Sequence, residues 1–244
     1  MSAGTSTPRR RVRKAAAPDA AAPPRLLDPL GDQRFVLENV SWEEYLAIHN
    51  AIAKSAGLKT VYCDGRLTLL TESRKHGWSG ERLGQLVIEL ARGHKMKWED
   101  VGTATFRRRA KKGGVEGDKT FYFGENAAKL KGSKNIDLNS QPPPDLAIEI
   151  EVTNSADEAM IVWGRLCVPE VWCLDPIAME CSFWARQRDG TYDEIDQSLA
   201  FPMLKPEDVI EQLRLADELG ADEWFDGLGR WIRKVILPRK RKGG

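Results

Sequence analysis

Residues 142–155, PPPDLAIEIEVTNS, constrain the fold more than any other stretch of the chain. A proline run favours extended backbone, and the β-branched segment behind it reads as a strand. Side chains alternate along a strand, so Leu146, Ile148, Ile150 and Val152 share one face, and Ala147, Glu149, Glu151 and Thr153 the other. Glu149 and Glu151 then point the same way, roughly 6–7 Å apart. A strand apolar enough to lie in a core carries such a pair for one of two reasons. Either that face is solvated, or the carboxylates hold a cation such as a hard metal ion.

The rest of the composition frames this choice. A chain of 244 residues can bury one good-sized core and still leave flexible ends. The apolar share of 41% and the charged share of 30% are those of a globular protein in water. No apolar run approaches the roughly 18–20 residues of a membrane span, and no apolar segment follows the N-terminal arginines as in a secretory signal. The expectation is a cytoplasmic protein that does not enter membranes. Cys63, Cys167, Cys173 and Cys181 show no C-x-x-C spacing, and read as small hydrophobes in a reducing compartment rather than a zinc site.

The formal net charge of +1 hides a division. Arg9, Arg10, Arg11, Arg13 and Lys14 give +5 at one end, and Arg233, Lys234, Arg239, Lys240, Arg241 and Lys242 give +6 at the other, with no acid among either set. The body between them carries about −10 by formal count. Such a body does not attract nucleic acid by net charge alone.

Along the chain, residues 1–33 are rich in Ala, Pro and Arg and read as a disordered basic arm. One α/β domain should occupy residues 34–237, with a basic tail over 238–244. Ser41 and Glu44 form a capping box that opens a helix closed by Gly57. His49 packs at the edge of that helix. Leu58–Tyr62 and Arg66–Thr71 flank Cys63-Asp-Gly65 and read as a hairpin. A second helix is expected from about Trp78 to His94, with Glu81 in its first turn. Gly102–Arg109 reads as a strand, and Lys119–Phe123 as another with Asp118 at its entrance. Asn126–Ser140 is a polar excursion. Asp157–Leu166 is a helix, capped by the Thr153, Asn154 and Ser155 turn, and Val171–Leu174 is a strand. Ser182–Arg186 and Thr191–Ile195 form a second hairpin, and Pro206–Leu219 and Asp222–Ile236 are closing helices.

Five pieces in this order, YCDGRLTLL, KHGWSGERLGQLVIEL, VGTATFRRR with GVEGDKTFYFG, PPPDLAIEIEVTNS and RLCVPEVWCLD, resemble the bacterial Uma family of restriction-endonuclease-like proteins. That family is a branch of the PD-(D/E)XK nuclease superfamily. The resemblance runs from about Val36 to Trp231. It implies an α/β fold with a central mixed β-sheet flanked by helices, and a Mg2+- or Mn2+-dependent endonuclease acting on DNA. It implies Asp118 and Glu149 as metal ligands on neighbouring strands, with Glu81 assisting through a water or a second ion. Relatives typically carry Pro-Asp where this chain has Gly117-Asp118, and His76 stands where relatives often place a histidine.

The main departure lies two residues after Glu149. The superfamily motif puts a lysine there, whereas this chain has Glu151, which the resemblance makes a base or a further metal ligand. Asp118, Glu149 and Glu151 would repel one another without an ion, raising at least one of their pKa values. Lys119 faces the other way on a regular strand, Arg165 and Lys112 are weaker substitutes still, and Glu158 stands where some relatives have a lysine. Asp145, in a literal Pro-Asp pair, reads as a structural residue at the strand entrance. The run Arg107, Arg108, Arg109, Lys111 and Lys112 precedes Asp118 and is placed to grip a phosphate backbone. A homodimer would let such an enzyme cut both strands, with exposed Trp residues near the C-terminal helices as its interface. The alternative is a degenerate nuclease fold that binds nucleic acid or protein without cutting.

Overall fold

The computed structural model describes residues 32–53, 57–133, 136–151 and 156–239. Residues 1–31 of the basic arm, the Thr153, Asn154 and Ser155 turn, and residues 240–244 lie outside the described residues. Asp32 and Gln33, which composition assigns to the arm, belong to the folded body.

The chain begins with β1 (Gln33–Leu37), α1 (Trp42–Ile52), β2 (Leu58–Cys63), β3 (Arg66–Thr71) and α2 (Arg74–Gly93). Next come β4 (Trp98–Asp100), β5 (Thr105–Arg108), β6 (Gly113–Glu116), β7 (Lys119–Phe123), α3 (Gly124–Leu130) and β8 (Leu146–Ile150). The chain then runs through α4 (Asp157–Leu166), β9 (Glu170–Asp175), β10 (Glu180–Arg186), β11 (Tyr192–Ile195), α5 (Pro206–Leu219) and α6 (Ala221–Trp231). A π turn (Ile232–Ile236) and a last helical turn, α7 (Leu237–Arg239), follow. None of the described helices is long and apolar enough to cross a membrane.

Two sheets result. One is antiparallel, in the order β1-β3-β2-β6-β5. The other is mixed, in the order β11-β10-β9-β8-β7-β4, with β8 and β9 as its parallel pair. The mixed sheet flanked by helices is the one the sequence leads us to expect; the antiparallel sheet stands beside it. β8 alternates as its pattern requires. Leu146, Ile148 and Ile150 pack with the α2 stripe of Leu83, Leu86, Val87 and Leu90 and with α5 and α6. Ala147 faces the opposite cluster, where α4 puts Val162 and Trp163 between the sheets. Each fully buried side chain of this size contributes about 1.5–3 kcal/mol, so the two clusters fix the sheets against their helices.

Local signals account for most element boundaries. Asp64 and Gly65 both take positive φ, 50° and 90°, as a tight hairpin turn between β2 and β3 demands. The capping box forms: the Ser41 N–H donates to Glu44 Oε2 at 2.7 Å, and the Glu44 N–H to Ser41 Oγ at 3.2 Å. α1 stops at Ile52, short of Gly57. α2 starts at Arg74, a full turn before its apolar periodicity begins, because Ser73 Oγ caps it by accepting the His76 N–H at 3.2 Å. The polar excursion contains α3, which buries Ala127 and Leu130. Asp145 anchors it by accepting the Phe123 N–H and Asn126 Nδ2, each at 2.7 Å. That is the structural role expected of Asp145. His49 is buried beside Thr60, with Nδ1 3.2 Å from Thr60 Oγ1.

At the C-terminal end the tryptophans do not form an exposed interface. Trp224 is buried and its Nε1 donates to Gln212 at 3.3 Å, and Trp231 packs against the main core. The exposed apolar side chains there are Leu219, Phe225 and Val235.

Candidate active site

The chain crosses from the antiparallel sheet to the mixed sheet between β6 and β7, and Asp118 sits on that crossing. Its N–H donates to the Ile148 carbonyl at 3.1 Å, and its Oδ2 accepts the Ile150 N–H at 2.5 Å. Its Oδ1 accepts from His76 Nε2 at 2.7 Å and from Lys59 Nζ. Burial by itself would push this carboxyl up; the Lys59 ammonium and the His76 imidazolium outweigh it and hold the group below the usual carboxylate range.

Glu149 comes next to it from β8. It is buried, and its Oε1 accepts Trp163 Nε1 at 2.6 Å. Burial, reinforced by the negative charge of Asp118, pushes its carboxyl up to about 8. The two acids thus divide their roles: Asp118 stays charged and Glu149 holds a proton at neutral pH. The indole that grips Glu149 also explains the missing proline. A β-carbon at Gly117 would lie 2.8 Å from Trp163 Cζ2 and 3.1 Å from Thr120 Cγ2. Only glycine leaves the indole its place.

Four further residues complete the cluster. His76, in the first turn of α2, is fixed at both nitrogens: Nδ1 lies 2.7 Å from Asp32 Oδ2, and Nε2 points at Asp118. Burial lowers its pKa, but the hydrogen bonds to Asp118 and Asp32 prevail and push it up to about 10. Asp32 in turn accepts the Ser73 N–H at 2.7 Å, tying the start of β1 to the start of α2. Glu72 precedes the helix and pairs with Lys59. Lys59 arrives from β2, almost fully enclosed, and bridges Glu72 and Asp118. Burial would lower its pKa; Asp118 and Glu72 more than reverse that.

Glu72, His76 and Asp118 each offer a ligand atom, and these atoms lie within 4.8 Å of one another. Glu149 lines the same small cavity, of about 50 Å³. An oxygen-rich set of carboxylates, buried but for the half-buried Glu72, with one imidazole fits a hard divalent cation such as Mg2+ or Mn2+. Asp118 and Glu72 are the ready donors, because Glu149 and His76 can ligate through a freed atom only after giving up a proton.

Other residues singled out by sequence lie elsewhere. β8 ends at Ile150, and Glu151 turns away: its N–H donates to the Leu174 carbonyl at 2.7 Å and its carboxylate accepts the Ala156 N–H at 3.0 Å. It lines a separate acidic groove of about 850 Å³ with Asp175, Glu180, Glu194, Glu207 and Glu211. Burial raises its carboxyl, with Asp157 and Asp175 adding to the effect. Glu81 also misses the cavity. It is exposed and accepts Lys119 Nζ at 2.7 Å, so Lys119 points away from Asp118 as its strand position requires. Arg165 pairs with Asp64 at 2.5 Å. Glu158 stands at the cavity rim, bound to Arg34 at 2.5 Å and Arg66 at 2.7 Å.

The basic run occupies the end of β5 and the turn into β6, at the end of β6 remote from Asp118. From Lys112 to Asp118 the strand spans up to about 20 Å. Arg107, Lys111 and Lys112 are exposed; Arg108 donates to the Leu138 carbonyl and Arg109 pairs with Glu43. None of the five lines the cavity.

The family model of Uma2, described as "Putative restriction endonuclease", matches residues 42–218. The chain belongs to the Uma2 family. Its restriction-endonuclease-like fold is the mixed α/β architecture described above. The Uma2 match contains Lys59, Glu72, His76, Asp118, Glu149 and Trp163, whereas Asp32 precedes it. No curated protein matches the chain.

Proposed function

We propose that this Uma2 protein is a metal-dependent endonuclease that hydrolyses phosphodiester bonds in DNA. One observation carries the reading: Asp118 and Glu149 are buried in the same cavity at the sheet crossing, with Glu72 and His76 beside them. Acids are costly to bury unless they are paired or coordinate a cation.

Asp118 and Glu72, joined by Glu149 once it gives up its proton, would hold Mg2+ or Mn2+ through carboxylate oxygens. Such an ion would lower the pKa of a bound water towards neutrality and offset negative charge developing on the phosphate. The chain's own residues set the geometry. The Ile150 N–H and the Asp32-braced His76 fix both oxygens of Asp118. Trp163 aims Glu149 through its indole N–H. Arg34 at the rim, and Arg66 behind it on the same Glu158, are placed for the scissile phosphate's neighbours. The groove around Glu151 repels a polyanion, so DNA approaches from the rim side, with the basic β5–β6 turn reaching phosphates farther along. A homodimer would serve cleavage of both strands.

A second reading, a degenerate nuclease fold that binds without cutting, is favoured by one detail. Both oxygens of Asp118 already have partners: Lys59 and His76 on Oδ1, and the Ile150 N–H on Oδ2. Isothermal titration of Mg2+ and Mn2+ into wild type and Glu149→Ala, with plasmid nicking on the same samples, separates the two. Metal binding and nicking that vanish together in the variant support the nuclease. Binding without nicking of supercoiled, linear or single-stranded DNA supports the second reading, and no binding of either ion removes the metal site.

A further inference from the structure

We propose that Lys59 is a built-in counter-ion: its ammonium occupies the cation position between Glu72 and Asp118, competes with a divalent ion for those oxygens, and withdraws when the ion binds. The inference rests on the metal-site reading above. The superfamily motif brings its lysine from the strand of the second acid, where this chain has Glu151 pointing into a different groove. Lys59 comes instead from β2, in the other sheet, and reaches the acids across the crossing.

The contacts decide which group yields. Asp118 Oδ1 accepts from both His76 and Lys59, so a metal bond to that oxygen must displace one of them. His76 is anchored at its far nitrogen by Asp32 at 2.7 Å. Lys59 holds the cluster through its ammonium alone, on a four-carbon flexible stem. Its contact with Glu72 Oε1 occupies a second of the candidate ligand positions. Lys59 is therefore the group that moves, and once released it stays tethered beside the acids, where the motif lysine would have stood.

Two like charges about 4 Å apart at an effective dielectric of about 20 oppose each other by several powers of ten in affinity. Withdrawal of the stem relieves part of this in the wild type, so removing the charge should tighten metal binding by about tenfold or more.

The test is titration calorimetry of Mn2+ into metal-free wild type and Lys59→Met. A variant that binds Mn2+ at least tenfold more tightly supports the inference; equal or weaker affinity overturns it and leaves the metal site standing. Absence of Mn2+ binding in both proteins overturns the metal reading and the inference with it. Should Lys59→Met not fold, the wild type decides through reductive methylation read by mass spectrometry, with and without saturating Mn2+. Lys119, paired with Glu81 outside the cluster, is the internal reference. Modification of Lys59 that rises with Mn2+ while Lys119 is unchanged supports withdrawal. A Lys59 that stays protected with Mn2+ bound overturns it.

Discussion

Glu149→Gln should make the metal-free protein more stable, and the gain should grow with pH. The folded carboxyl sits at about 8 against an ordinary 4.5, because of burial and the neighbouring Asp118 charge. An acid whose pKa is raised by folding binds more protons in the native than in the unfolded state. Stability therefore falls as the pH rises from about 4.5 and levels off above about 8. The whole window is worth about 5 kcal/mol, of which about 3 kcal/mol is already lost at pH 7. Glutamine has no proton to lose and keeps an oxygen for Trp163 Nε1, so it avoids this loss. Urea unfolding of both proteins in EDTA at pH 5, 7 and 9, followed by tryptophan fluorescence, measures the difference. It should be under about 1 kcal/mol at pH 5 and between about 4 and 5 kcal/mol at pH 9. A difference that stays flat over this range would refute the reasoning: Glu149 would then be ionised in the native state, neutralised by Lys59 and His76 rather than by a proton.

Further expectations concern the residues around it. His76 keeps its proton up to about 10, so its stabilising contribution is complete below its ordinary 6.5 and disappears as the pH rises through about 10. His76→Gln should cost much more stability at pH 6 than at pH 10, measured by urea unfolding. Gly117→Ala forces a β-carbon against Trp163 and should cost about 1–3 kcal/mol and shift the tryptophan emission. Gly80→Ala, inside α2 with open space at its β-carbon, should instead stabilise by about 0.5–1 kcal/mol. Glu81→Ala removes only an ion pair with one exposed partner, so plasmid nicking should be unchanged and stability should fall by less than about 1 kcal/mol.

What could be read from sequence depended on range. The hairpin at Asp64-Gly65, the Ser41 capping box, the α4 and α5 spans and the alternation of β8 all rest on near neighbours, and each forms as its pattern dictates. The family resemblance pairs Asp118 and Glu149, and the fold brings them into one cavity, Asp118 just before β7 and Glu149 within β8. Glu151 misled because periodicity was extended past Ile150, where β8 ends and the chain turns. Glu81 misled because apolar spacing starts α2 at Trp78, whereas the Ser73 cap starts it at Arg74. That added turn brings His76, and Glu72 just before it, to the cavity. Lys59 gave no local signal: a lone lysine in a short strand reads as a solvated edge, and its partners are 13 and 59 positions away in sequence. Asp32 was hidden by the composition of the arm beside it.

The sheet crossing has a consequence for how the protein is made. The cluster joins residues 32, 59, 72, 76, 118 and 149, and its shortest links across the two sheets span 32 to 59 positions. The β2–β3 hairpin alone brings Lys59 to Glu72, but the contacts that reach Asp118 cannot form within a single hairpin or helix. A growing chain at the ribosome therefore lacks the complete cluster until β8 has emerged and α4 has brought Trp163 onto Glu149. Any cutting activity of this site would arrive in one step, with the finished fold, and would be lost in one step when either sheet opens.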